Sequence, residues 1–415
     1  MDFKYELDEE TRVGARIKVI GVGGGGSNAV GRMAEQGLDG VEFHVINTDA
    51  QALAASKVSN KLQIGQRITN GLGAGSDPTI GKESAMEDTD RIIGILEGAD
   101  LVFVTAGLGG GTGAGASPVV ASLAKNLGAL TIAVVTKPFA FEGPKRARQA
   151  SRSVDDLASS VDILITIPND RLLSIAPRGT SMQQAFQMAD DVLRQAVQGI
   201  SDIILTPGLI NLDFSDIKAA ITGMGHALIG TATARGPQAA SEAARMAINS
   251  PLLEDTKIKG AKQILINITG SGEIGLHEVN EACSIIREAA DSDDLQLNFG
   301  VITDDSMGDS VKVTVIATGF AKPEDPILDL VPASKPAAAF FATSGGGAAF
   351  GEPPIVSYVQ PPPTPLVSVI ELPPEPVVSI SVATPAAPAQ IPEPIDEYED
   401  EVDIPAYLRQ GKLLR

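Results

Sequence analysis

A single cysteine, Cys283, in 415 residues leaves no partner for an intrachain disulfide. The three histidines, His44, His226 and His277, show no metal-ligand spacing, so a disulfide scaffold and a His/Cys zinc site are both excluded. His277 opens H-E-x-x-E with Glu278 and Glu281, which lacks the second histidine of the zinc-protease pattern and reads as a solvated helix face. No apolar run approaches the ~20 residues that cross a bilayer. The N-terminal MDFKYELDEE has neither the apolar core of a signal peptide nor the arginine-rich character of a transit peptide, which makes the cytoplasm the expected compartment. Basic residues are in deficit, 32 against 52 acidic for a formal charge of -20, and this opposes binding to phosphate backbones, so no nucleic-acid partner is expected. The pattern G-x-x-x-x-G-K-[ST] occurs nowhere, so the chain has no P-loop.

Proline divides what is present. Of 27 prolines, 17 fall between Lys322 and Ile395, where runs such as QPPPTPL lack backbone donors and favour extended conformations. Residues 322–395 therefore read as a disordered linker, and residues 1–15 as a flexible N-terminal segment. After the linker, residues 396–415 hold an acidic run and then DIPAYLRQGKLLR, where Ile404, Pro405, Tyr407 and Leu408 give a compact apolar surface beside Arg409. This segment reads as a tethered recognition peptide.

Between these ends, β-branched runs alternate with longer amphipathic segments, the pattern of an α/β fold with a mainly parallel sheet. Strands are expected at 16–22, 42–47, 100–106, 129–136 and 161–167, with helices at 27–37, 79–97, 112–127 and 145–159. Apolar positions 185, 186, 189, 192, 193, 196, 197 and 200 keep helical spacing through a long segment, 181–204, able to connect two domains. Beyond it, strands near 225–234, 263–269, 297–303 and 311–319 and helices at 236–248 and 275–289 suggest a second, smaller α/β domain. The expected divisions are 16–180, the helix 181–204, and 205–321. Cys283 falls among apolar helix positions and reads as a small buried hydrophobe.

Two glycine-rich loops carry the chemistry. The first strand runs into GVGGGGSNA, where Gly21, Gly23 and Gly26 satisfy G-x-G-x-x-G ahead of a helix. Backbone amides at such a helix start can cradle phosphate, or the glycines can simply permit a tight strand-helix turn. Alone, this loop suits NAD equally well, with Glu42 about the expected distance downstream. The second loop, Gly107 to Gly115 (GLGGGTGAG), also joins a strand to a helix. Two cradles point to one polyphosphate, and Thr112 adds a hydroxyl. Farther on, Asn211, Asp213 and Asp216 cluster at the start of DFSDIKAAI, with the two carboxylates at i, i+3 on one helix face. Unaided by any relative, Asp213 reads as an N-cap and Asp216 as a first-turn dipole partner.

GGGTGAG at Gly109 to Gly115 resembles the signature loop of the tubulin/FtsZ family of GTPases. The likeness extends through GVGGGGSNA, Asn47 to Leu53 (NTDAQAL), Gly73 to Gly81 (GAGSDPTIG), Pro138 to Arg146 (PFAFEGPKR), Thr166 to Asp170 (TIPND), Pro207 to Asp216 (PGLINLDFSD) and the terminal DIPAYLR. Departures are Pro144 inside FEGPKR and Tyr407 in place of phenylalanine. The resemblance implies a Rossmann-like GTP-binding domain, a long central helix, a second α/β domain and a disordered tail. It implies that Gly23, Gly24, Gly25, Gly26 and Asn28 contact phosphate and ribose, that Ala74, Gly75, Ser76, Gly110, Gly111, Thr112 and Gly113 hold the β- and γ-phosphates, and that Glu142 and Arg146 meet the ribose. Asn169, Phe186 and Asp191 would hold guanine, with adjacent Asp190 the alternative carboxylate. A carboxylate accepts from both the ring N–H and the amine of guanine, and adenine lacks that donor pair.

The resemblance further implies that Asn211, Asp213 and Asp216 enter the nucleotide site of the next subunit to orient the attacking water, with Mg2+ bridging the β- and γ-phosphates. The cofactors expected are GTP/GDP and Mg2+. The expected partners are further copies of the chain, and division proteins that grip Ile404, Pro405, Tyr407, Leu408 and Arg409 and so reach the membrane indirectly at mid-cell. A tubulin-like GTPase for DNA segregation or cell shape, and an NAD-dependent oxidoreductase, are the alternatives.

Overall fold

The computed structural model describes residues 14–210, 212–250, 258–292 and 294–320. The linker 322–395, the peptide in 396–415, Asn211, and all but the last two residues of the N-terminal segment lie outside the described residues.

The described chain runs β1 (Ile17–Val22), α1 (Gly23–Gln36), β2 (Val41–Asn47), α2 (Ala50–Ala55), β3 (Asn60–Gln63), α3 (Gln66–Thr69), α4 (Pro78–Glu87), α5 (Thr89–Leu96), β4 (Leu101–Gly107), α6 (Thr112–Asn126), β5 (Leu130–Lys137), α7 (Pro144–Ala158), β6 (Ile163–Pro168), α8 (Asn169–Ile175) and α9 (Met182–Leu205). It continues with α10 (Phe214–Ile221), β7 (Gly225–Arg235), α11 (Ala239–Ile248), β8 (Gln263–Gly270), α12 (Leu276–Ala290), β9 (Gln296–Thr303) and β10 (Ser310–Thr318). All ten strands join one sheet in the order β3-β2-β1-β4-β5-β6-β7-β10-β8-β9. Pairing is parallel from β3 to β7 and between β8 and β9, and antiparallel on both sides of β10. This is the mixed α/β, mostly parallel architecture read from the sequence.

Strands β4 and β5 are buried on both faces, which is why they read as unbroken apolar runs. One face is covered by α1 and α9, through Val30 and Met33 on the first and Leu193, Val197 and Ile200 on the second. The other is covered by α5, α6 and α7, and α11 and α12 cover the β8–β10 region through alanine-rich faces. Helix α9 opens with a reciprocal cap: Gln184 N donates to Ser181 Oγ at 3.2 Å, and Ser181 N to Gln184 Oε1 at 2.8 Å. Its 24 residues span about 36 Å, long enough to run from one end of the parallel strands to the other.

One expectation needs correction. The helix expected over 79–97 is two, α4 and α5, separated at Asp88, whose carboxylate accepts from Gly65 N and from Arg91 at 2.8 Å each. Pro144 does not disturb the helix that follows it, because it occupies the first turn of α7, where a missing N–H costs nothing.

Candidate functional site

In a parallel sheet the loops beyond the C-terminal strand ends converge, and four of them meet here. Those following β1, β4, β5 and β6 surround a cleft of about 300 Å3. Gly24, Gly25, Gly107, Gly110, Gly111, Thr112 and Gly113 line one end, and Asn169, Phe186, Ala189, Asp190 and Leu193 the other, with Thr136, Pro138, Glu142 and Arg146 between.

The glycines divide into two physical groups. A Cβ on Gly26 would lie 2.3 Å from Thr105 O, one on Gly113 2.7 Å from Gly107 O, and one on Gly23 2.8 Å from Gly113 N. These residues let the two loops touch backbone to backbone. Gly24 and Gly110, in contrast, have no neighbour within 4 Å of the place a Cβ would occupy, so the fold itself does not require glycine there. Helices α1 and α6 both start at this contact with no side-chain cap and no acidic residue in the first turn. Their unsatisfied amides and positive dipole ends make an anion site of two helix starts. Thr112, on the cleft, is fixed from behind by a hydroxyl contact of 2.7 Å to buried Thr48.

At the other end, buried Asn169 keeps its Oδ1 without a hydrogen-bond partner, although nearly all such atoms find one. Phe186 is 40% exposed and meets the buried Phe139 ring edge-on at 5.6 Å, leaving a flat apolar surface toward the cleft. Glu142 accepts from Phe139 N at 2.9 Å and pairs with Arg146, so its charge is neutralised within the wall.

The carboxylate that lines the cleft is Asp190, not Asp191. Asp191 is committed to its own helix, accepting from Arg194 Nε at 2.8 Å and Gln195 Nε2 at 2.7 Å. Asp190 stands 3.0 Å from Arg32 of α1. Burial pushes its carboxyl up to about 6, with the Arg32 charge pulling the other way. Helical phase carries the signal that separates the two: Asp190 is four residues after Phe186 and shares its face, whereas Asp191 follows Gln187. Sequence reasoning also missed Thr136, Pro138, Ala189 and Leu193; the first two are placed by the convergence of strand ends, the last two by the same helical phase.

Other expected residues sit near the cleft without lining it. Gly23 and Gly26 form the contact between the loops. Asn28 is exposed on α1, and buried Ala74 backs Gly111. Gly75 and Ser76 have φ of 57° and 63° in an exposed turn, held where Gln149 Nε2 donates to Ser76 O at 3.0 Å.

Asp213 and Asp216 are not in the cleft. Both are exposed, Asp213 at the N-cap of α10 without a side-chain capping bond and Asp216 beside Gln296 and Asn298. Helix α9 starts beside the cleft and ends where Leu205 meets Gly40, ahead of β2, and α10 lies by Gly128, ahead of β5. The two carboxylates are thus at the N-terminal edge of the parallel strands, opposite the cradle. Among the described residues no group of three or more His, Cys, Asp or Glu side chains is placed to hold a metal ion.

Comparison with known proteins gives this arrangement a context. Residues 16–177 match the tubulin/FtsZ family GTPase domain, and residues 225–321 the FtsZ family C-terminal domain. An empty FtsZ dimer from M. jannaschii is 40% identical, covering 74% of this chain and 89% of that one, with a TM-score of 0.70. Two proteins of Haloferax volcanii, CetZ1 as a GDP-bound monomer and CetZ2 as a GTPgS-bound protofilament, share the fold at 23% identity and a TM-score of 0.65. Each covers 74% of this chain, which covers 95% and 94% of theirs.

Proposed function

The chain belongs to the tubulin/FtsZ family of GTPases, and from that premise we propose that it assembles head to tail into filaments, each subunit's GTP being hydrolysed with carboxylates of the next. The observation that carries this reading is the separation of parts. Among the described residues that line the cradle, none is a free base at the phosphate end, since Glu142 is paired and Asp190 lies at the far end, while Asp213 and Asp216 stand exposed on the opposite edge. Head-to-tail contact unites them, and an interface between unlike surfaces propagates rather than closing. Exposed apolar side chains support it: Phe141, next in the chain to Glu142 of the cleft wall, is 55% exposed, and Leu209, before α10, is 65% exposed. The relatives described as a dimer and a protofilament point the same way.

In this reading Asp190 accepts from the ring N–H and amine of guanine, Asn169 completes the base edge, and Phe186 covers the base plane. The amides of Gly24, Gly25 and Gly110 to Gly113 hold the phosphates, and Asp213 and Asp216 of the following subunit orient water toward the terminal one, a reaction that depends on positioning more than on strong bases. The two helix starts and the hydroxyl of Thr112 suit an anionic polyphosphate. Mg2+ would be held mainly by the phosphate oxygens and would neutralise their charge as water adds to the terminal phosphorus. We extend the reading to a division ring in bacterial cytoplasm, with Ile404, Pro405, Tyr407, Leu408 and Arg409 grasped by a membrane-bound adaptor. Residue chemistry there suits groove docking.

Sedimentation with GTP, GDP or no nucleotide, alongside phosphate release over a range of protein concentration, tests the core of the proposal. Specific activity should rise steeply where GTP-dependent pellets first form. Full activity per subunit in dilute, non-sedimenting protein would sink it.

A further inference from the structure

The contact between Arg32 and Asp190 does more than join two helices. Arg32 Nη1 is 3.0 Å from Asp190 Oδ2, yet this buried nitrogen has no aligned hydrogen-bond acceptor. The charges attract without an N–H pointing along a carboxylate lone pair, so the acceptor sites of Asp190 remain available. Arg32 does not line the cleft, whereas Asp190 does.

The geometry points to Arg32 as a positioning residue for base recognition: it holds the Asp190 carboxylate ionised and turned to the cleft, ready to accept two N–H groups from guanine. The inference rests on the guanine role of Asp190 proposed above. Its physical basis is the competition at that carboxylate. Only 13% of the Asp190 side chain is exposed, and burial favours the neutral acid, which offers one acceptor fewer and no charge. Arg32 supplies the opposing field from α1. The other charged groups nearby are occupied elsewhere: on α9, Asp191 and Arg194 pair with each other, and across the cleft Glu142 pairs with Arg146. The balance leaves the Asp190 carboxyl at about 6, close enough to neutrality for the loss of one charge to matter.

The test compares GDP with inosine diphosphate, which lacks the exocyclic amine but has the same phosphates, so phosphate ionisation cancels in the ratio of their affinities. In the full-length parent, the preference for GDP should be constant above neutral pH and decline below about pH 6. In Arg32→Gln the midpoint should move up by about one pH unit or more, lowering the preference at pH 6 by about fivefold. Arg32→Lys, which keeps the charge, should restore most of the parent profile. In an Asp190→Asn background, Arg32→Gln should have no further effect on the preference. Thermal unfolding of each variant without nucleotide separates loss of fold from loss of recognition; if Arg32→Gln does not fold, the parent, Arg32→Lys and Asp190→Asn profiles still decide the matter. Loss of preference in Asp190→Asn together with an unmoved midpoint in Arg32→Gln overturns the role of Arg32 alone. A parent preference that does not decline on acidification overturns it too. Unchanged preference in Asp190→Asn overturns the guanine role of Asp190 itself.

Discussion

Lys218 Nζ donates to the carbonyl of Gly128 at 3.1 Å, and this bond holds the helix bearing Asp216 against the N-terminal end of β5. The glycine cradle occupies the C-terminal end of the same group of strands. A parallel strand of seven residues spans about 23 Å. On the roles proposed, the groups that orient water and the phosphates they act on are a full strand length apart within one subunit.

Replacing Asp213 or Asp216 with Ala should therefore leave GTP affinity within about twofold of the parent, since neither touches the cleft, while turnover falls about 100-fold or more. Equilibrium binding and phosphate release, both measured above the assembly threshold, separate the two effects. A loss of affinity with turnover per bound GTP preserved would contradict the assignment.

Asp190→Ala removes a charged acceptor of two base N–H groups, each worth about 1.5–3 kcal/mol, and should weaken GTP binding by tenfold or more on the order-of-magnitude scale of such bonds. Asp191→Ala removes a half-exposed pair with Arg194, worth about 0.3–0.5 kcal/mol, and should change affinity less than about twofold. Titration of a fluorescent guanine nucleotide gives both numbers, and the opposite order would return the base contact to Asp191.

Gly113→Ala and Gly24→Ala should fail differently. The first places a Cβ 2.7 Å from Gly107 O and should lower the unfolding temperature of nucleotide-free protein, overpacking of this kind costing about 1–3 kcal/mol. The second meets no protein atom within 4 Å, so stability should hold while nucleotide affinity declines. Equal thermal losses would mean that the cleft-facing glycines serve the fold and not a ligand.

Removing Asp403 to Arg415 should leave GTP turnover and sedimentation near the parent values and abolish recruitment to division sites. A fluorescent fusion of the truncated chain that still forms rings at mid-cell would show that another segment supplies the attachment.

The parts of the fold that could be read in advance are those whose local chemistry matches their place. Strands β4 and β5 are covered on both faces, and LVFVTA and LTIAVV say so directly. Strand β3, NKLQ, turns only Leu62 inward and carries no such mark. The break at Asp88 has no proline or glycine to announce it, because its cause is an amide 23 residues earlier, at Gly65. The site shows the same division. Glycine loops name their own chemistry, and Asp190 shares a helical phase with Phe186, but that this face of α9 also meets Arg32 of α1 is decided by a neighbouring helix.

The backbone contact between the two loops also limits how this protein can change. Where Gly23, Gly107 and Gly113 touch main chain to main chain, no side chain is present to exchange for a slightly longer or shorter one. The phosphate seat is consequently a poor place to adjust performance by small steps, since the available substitutions disturb both loops at once. Variation in speed has freer scope on the exposed surface around Asp213 and Asp216, where neighbouring positions can alter how firmly and how long the groups are presented. A lineage or an engineer seeking a faster or slower version would find graded changes there, with the cradle passed on unaltered.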